Sequence, residues 1–160
     1  MAEADDCVSV VNAETSSAVF WPEDPRTVMV QSMSFVVEGR EDYTFDLSGD
    51  VSSLEDQSFI MKEGTAYNIR INFCVQREIA SGLRLRITTA RKGINVDKQS
   101  YMVGCYGPKG EVQTYLTPVA EAPSGMIARG SYKMTCSFLD DDKKMHLRWS
   151  FRMDVKKDWE

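Results

Sequence analysis

Three consecutive carboxylates, Asp140, Asp141 and Asp142, lie a short turn away from His146, the sole histidine of the chain, and close to the rings of Trp149, Phe151 and Trp159. Acid–base or nucleophilic catalysis would need that imidazole beside a serine, a cysteine or a second carboxylate. The alternation after the aspartates instead puts Leu147, Trp149, Phe151, Met153 and Val155 on one face of a strand and His146 on the other, polar face. A solvated role is expected for it. Neighbouring residues of one turn cannot flank a sugar at the several-ångström separation that glycoside hydrolysis requires. Cys7, Cys74, Cys105 and Cys136 lack the CxxC spacing of a metal site, and no Walker loop, GxGxxG or HExxH occurs. The sequence predicts a protein that is not an enzyme and holds neither metal nor cofactor. The remaining chemistry is electrostatic: Asp97 and Glu121, in segments that read as loops, could join Asp141 and Asp142 at one end of the fold. Such an end would attract a Lys/Arg-rich peptide weakly and with salt sensitivity.

The elements that must position these groups are strands. In AYNIRINFCVQ, Tyr67, Ile69, Ile71, Phe73 and Val75 alternate with Asn68, Arg70, Asn72 and Gln76, the pattern of a half-buried antiparallel strand; Cys74 falls on the polar side. The same period puts Tyr43, Phe45 and Leu47 inward in DYTFDLS, Leu83, Leu85 and Ile87 inward in LRLRITT, and Tyr132, Met134, Cys136 and Phe138 inward in SYKMTCSF. TVMVQSMSFVV is a further strand. Turn signals such as Ser48-Gly49-Asp50, Lys92-Gly93 and Pro123-Ser124-Gly125 separate them. VSSLEDQ has room for one helical turn. An all-β, immunoglobulin-like Greek-key sandwich of about seven to nine strands is expected over residues 26–160. Residues 1–25, polar and interrupted by the prolines of WPEDP, read as a flexible arm.

With 160 residues and a formal net charge of −5, the chain suits a single domain whose preferred partner is cationic. Its basic residues are scattered rather than gathered on a face, which excludes nucleic acid. No run approaches the roughly 18 apolar residues of a membrane span, and the opening MAEADDCVSVVNAETSSAVFW lacks a secretory pattern. A cytoplasmic protein with reduced cysteines and no stable membrane insertion is therefore expected. The inner faces are rich in aromatic and methionine side chains. Either they fill a solid core, or the two sheets part at one end and leave a cavity suited to a flexible lipid.

The segments NFCVQREIASG, VDKQSYMVGCYGP, YLTPVAEAPSGMIARGSY, FLDDDK and HLRWSFRMDVKKDW, with their spacing, resemble the signatures of Rho GDP-dissociation inhibitors from about Met33 to Glu160. The resemblance implies a regulator that takes up the geranylgeranyl group of prenylated Rho- and Rac-family GTPases. It would bind them one-to-one, mostly in the GDP state, and hold them in the cytosol away from membranes. Carried over position by position, it implies a lipid pocket of Phe35, Tyr67, Phe73, Ile79, Leu85, Ile127, Met134, Trp149 and Phe151, with Ile79 and Ile127 forming the mouth. Asp97, Glu121, Asp141 and Asp142 resemble the family's contacts to the GTPase and its basic tail. The chain departs from the family at Phe151, where tryptophan is usual, and at Ala120, where a second glutamate is usual. Residues 1–25 are also shorter and less periodic than the helical arm that blocks nucleotide release in relatives, so lipid shielding is expected without the usual block. Two other functions fit the same residues: a general prenyl carrier indifferent to the GTPase, and an immunoglobulin-like interaction module with a filled core.

Overall fold

The period-two segments become strands in a computed structural model that describes residues 18–160. In chain order they are β1 (Val28–Val36), β2 (Tyr43–Asp46), β3 (Ser58–Lys62), β4 (Ala66–Val75), β5 (Ala80–Arg91), β6 (Ile94–Tyr106), β7 (Gln113–Leu116), β8 (Ala120–Glu121), β9 (Gly130–Leu139) and β10 (Met145–Lys156). A 3₁₀ turn, Ser52–Asp56, occupies the stretch read as a helical turn. One sheet has the order β2-β1-β4-β7, with β8 paired to the start of β4; the other has the order β3-β10-β9-β5-β6. Neighbours are antiparallel except β3 and β10, which run parallel from Ser58↔Arg152 to Lys62↔Lys156. The sandwich is thus as expected, with ten strands among the described residues in place of about seven to nine; β3, β6, β7 and β8 lie in stretches for which no strand was read from the sequence.

Facing rows of apolar side chains make the core. In β9 and β10 the pairs Cys136↔Trp149, Met134↔Phe151 and Tyr132↔Met153 set six buried residues on one inner face. Opposite them stand Met33 and Phe35 of β1 and Tyr67, Ile69, Ile71 and Phe73 of β4. Phe151 is fully buried, with the rings of Phe45, Phe35 and Phe59 at 4.4, 5.7 and 6.0 Å. Burying one such ring is worth about 1.5–3 kcal/mol, and its aromatic contacts add to that. Tyr43 departs from its expected inward place: it is largely exposed and stacks on Phe59 at 4.9 Å. Leu147 is only half-buried because a register shift between Met145 and Leu147 interrupts the alternation at the start of β10.

Of the stretch read as an arm, residues 1–17 lie outside the described residues, and residues 18–25 are tied to the outer face of the first sheet. Gln76, read as a polar-face residue, is completely buried there. Its Oε1 accepts from the amides of Phe20 and Trp21 at 3.1 and 2.8 Å, and its Nε2 donates to the carbonyls of Trp21, Asp24 and Arg26. A buried amide costs free energy unless both ends are paired, and this one is paired throughout. Cys74 and Cys136 are free and buried.

Candidate functional site

The inner row of β5 runs Leu85, Ile87, Thr89, Arg91, so its last two places carry a hydroxyl and a guanidinium where a ring would be needed to close the core. The sheets leave a cavity of about 380 Å³ at that end. Met134, Met153, Tyr67 and Tyr132 form its apolar lining, Thr89, Arg91 and Gln99 its polar wall, and Val96, Asp97, Glu121 and Pro123 its rim. β8 builds one side of the rim: its pairs Ala66↔Glu121 and Tyr67↔Ala120 hold Glu121 at the first residue of β4. Asp97 comes from the other sheet, opposite Thr89 in the β5–β6 ladder. Both carboxylates therefore stand on strands, where loops were expected.

Burial pushes the Tyr67 phenol up to about 12, with neighbouring Tyr101 and the Asp97 carboxylate adding to it. The phenol stays neutral at any physiological pH. Tyr101 is raised by burial and by Asp97 in the same way, and its hydroxyl donates to Gln99 Oε1. Apart from the Arg91 guanidinium the lining is uncharged and half apolar, and the carboxylates stand at the rim, an order that suits a hydrophobic guest carrying cationic groups outside.

Tyr67 and Met134 line this cavity, and Ile127 stands beside it, its carbonyl accepting from Arg91 Nη1 at 2.6 Å. Phe35, Phe73, Leu85, Trp149 and Phe151 belong to the packed interior next to it. There the Trp149 indole Nε1 donates to Met33 Sδ at 3.3 Å, and Phe73 meets Phe138 at 5.2 Å. Ile79 lies elsewhere. It precedes Ala80 at the far end of β5, on the order of 35 Å along the strand from Arg91. Ile79 and Ile127, expected to share a mouth, are at opposite ends of the sandwich.

The four acidic residues divide in the same way. Asp97 and Glu121 rim the cavity, while Asp142 stands with Asp140, Ile79, Lys144 and His146 around a polar crevice of about 150 Å³ at the other end. Asp140 organises that turn: its Oδ1 accepts from the amides of Asp142 and Lys144, and its Oδ2 meets His146 Nε2 at 2.9 Å. Burial lowers the His146 pKa, partly offset by the Asp140 contact. His146 is thus enclosed rather than solvated as its polar phase suggested. Asp141 packs on Gly82, where a Cβ would come within 1.9 Å of its Oδ1 and where φ is +62°, so that turn depends on glycine. Convergence of all four carboxylates on one end, expected from the sequence, does not occur.

Arg91, Thr89, Tyr132 and Met153 line the cavity without having been singled out from the sequence. The signal was present: Tyr132 and Met153 stand in inward rows read from the sequence, Thr89 and Arg91 continue the row of Leu83, Leu85 and Ile87 by two and four residues, and Arg91 is a charged side chain in the inward phase.

The family model described as RHO protein GDP dissociation inhibitor matches residues 8–158. Rho GDP-dissociation inhibitor 1 of Homo sapiens is 54% identical over 114 residues, 71% of this chain and 56% of that protein. Rho GDP-dissociation inhibitor 3 of Bos taurus is 46% identical over 115 residues, 72% of this chain and 51% of that protein. The chain spans about half the length of the curated relatives it matches. A solved structure, a Niemann-Pick type C2 protein from Japanese carpenter ant, overlaps 86% of this chain and 99% of its own with a TM-score of 0.48 and 12% identity, too slight a likeness to bear on function. With the family profile matching residues 8–158, and with relatives about half identical over some seven-tenths of its length, the chain belongs to the Rho GDP-dissociation inhibitor family, a family of regulatory binding proteins rather than enzymes.

Proposed function

We propose that this chain binds prenylated Rho-family GTPases, lodges the geranylgeranyl group between its sheets, and draws the GTPase from membranes into the cytosol. The observation that carries this reading is the cavity itself, methionine and tyrosine inside and Asp97 and Glu121 at the rim. A C-terminal lipid preceded by Lys/Arg residues has the complementary order of chemistry. An isoprenoid chain is worth on the order of 10 kcal/mol to the apolar medium that holds it, so a shallow surface groove could not compete with a bilayer. The cavity takes the leading part. The remainder requires the sheets to part at Phe35, Trp149 and Phe151, next to Met33, Met134 and Met153, whose flexible side chains can repack. Family membership supports the choice of GTPase as partner, and charge-assisted contacts would supply what lipid burial leaves at parity.

The test is release from liposomes. Geranylgeranylated, GDP-loaded Rho GTPase on vesicles is mixed with the protein, and GTPase in the supernatant and the GDP dissociation rate are both followed. Wild type is expected to release the GTPase, and Met134→Trp, which fills the cavity, to release at least about tenfold less. GTPase that stays on the vesicles at every protein concentration would discard the lipid reading in favour of an interaction module with a filled core. Equal binding of a short prenylated peptide and of the full GTPase would favour a general prenyl carrier instead.

A further inference from the structure

Between β8 and β9 the chain turns back over the cavity end through residues 122–129, and Met126 and Ile127 at its tip are 80% and 90% exposed. Two exposed apolar side chains on a short loop would ordinarily leave its backbone free to move. This backbone is fixed from the inside. Arg91 Nη1 donates to the carbonyl of Ile127 at 2.6 Å, and Arg91 Nη2 donates to that of Arg129 at 2.6 Å. Arg91 Nη1 also lies 3.3 Å from the Tyr132 hydroxyl, and the guanidinium sits 5.2 Å from the centre of that ring. The Tyr132 hydroxyl in turn donates to the carbonyl of Ala128. Gly130, with φ +146°, makes room: a Cβ there would come within 2.9 Å of Arg91 Nη2. On the outer side Arg129 pairs with Glu63.

We infer that Arg91 is a positioning residue for lipid retention, clamping the 122–129 loop by its backbone so that the tip carrying Met126 and Ile127 stays at the cavity end and slows escape of a bound isoprenoid. A guanidinium fork suits this task because one rigid plane can serve two carbonyls at once, which an ammonium cannot do with fixed geometry. Arg91 is also part of the cavity wall, so clamp and binding space share one side chain. The loop then acts on the residence time of the guest while the carboxylates of the rim act on its arrival. This inference rests on the lipid-binding reading above.

A fluorescent geranylgeranylated peptide bound to the full chain provides the test, with dissociation followed after addition of excess unlabelled peptide and amide exchange of residues 125–129 measured in parallel. Arg91→Ala is expected to raise the dissociation rate about tenfold, to speed exchange in that loop, and to leave the association rate within about twofold. Arg91→Lys is expected to fall between the two, because it keeps the charge but not the fork. Should Arg91→Ala fail to fold, Arg91→Lys and Glu63→Gln, which loosens the outer tie, carry the same comparison. Dissociation unchanged within twofold while wild type binds the peptide would overturn the clamp and leave the lipid reading standing. A wild type that binds no prenylated peptide would overturn both. A purely structural role predicts a lower unfolding midpoint with an unchanged dissociation rate, and that result also counts against the clamp.

Discussion

Where β4 starts and β5 finishes, the inner places are held by Thr89, Arg91, Tyr67 and two methionines, and the sheets stand apart around a cavity of about 380 Å³. Where β4 finishes and β5 starts, Phe73 meets Tyr106 at 4.9 Å and Phe138 at 5.2 Å, Leu83 is fully buried, and the layers close. Both ends carry paired carboxylates. Acidity alone therefore does not distinguish the end proposed to take a lipid; what fills the inner face beneath the carboxylates does. The cavity end combines a flexible lining with fixed charges, whereas the opposite end presents an aspartate turn braced by Gly82 and His146 over a solid interior.

The sharpest way to break this contrast is Phe151→Ala. Its ring is enclosed by three others and has no space to collapse into, so a loss of about 3–5 kcal/mol in denaturant unfolding is expected. A loss below about 1 kcal/mol would mean the interior is already loose and the distinction between packed and hollow regions is wrong. Next come the carboxylate pairs. Asp97→Asn with Glu121→Gln should weaken a prenylated, Lys-rich peptide about two- to fivefold at low salt and flatten its salt dependence. Asp141→Asn with Asp142→Asn should leave that peptide unaffected and weaken only the whole GTPase. Equal effects of both pairs on the peptide, measured by salt titration of affinity, would erase the difference between the ends.

The smallest expected effect concerns His146. Its pKa is lowered in the fold, so below the ordinary value of about 6.5 the unfolded chain binds a proton that the folded chain does not. Stability from this group is present above that pH and is lost as pH falls through the lowered folded value. His146→Asn should therefore flatten the fall in unfolding free energy as pH drops below about 6.5. An unaltered slope would mean that the aspartate turn is not braced by a neutral imidazole.

Much of the architecture could be read from the sequence because a half-buried strand writes its burial as alternation. Tyr67 to Val75 and Tyr132 to Phe138 fall on the inner face as their period requires. Alternation says which side a residue faces and nothing about whether the opposite sheet reaches it. Phe35, Trp149 and Tyr67 have the same inward phase, yet only Tyr67 borders open space. Ile79 and Ile127 separated for a related reason: both lie outside strands in the sequence, and only the register of β5 against β6 and β9 decides which end each occupies. Gln76 escaped notice because its partners are backbone atoms of residues 20–26, which leave no side-chain signature.

The parallel ladder between β3 and β10 has a bearing on how the chain reaches this shape. β3 finds its partner nearly a hundred residues later, across Ser58↔Arg152 to Lys62↔Lys156. The backbone of β3 therefore waits for the final strand before it is paired, whether on the ribosome or after dilution from denaturant. A nascent chain stalled before Lys156 would display that unsatisfied edge to chaperones, and the slowest step in acquiring the native state should be the arrival of β10 between β3 and β9.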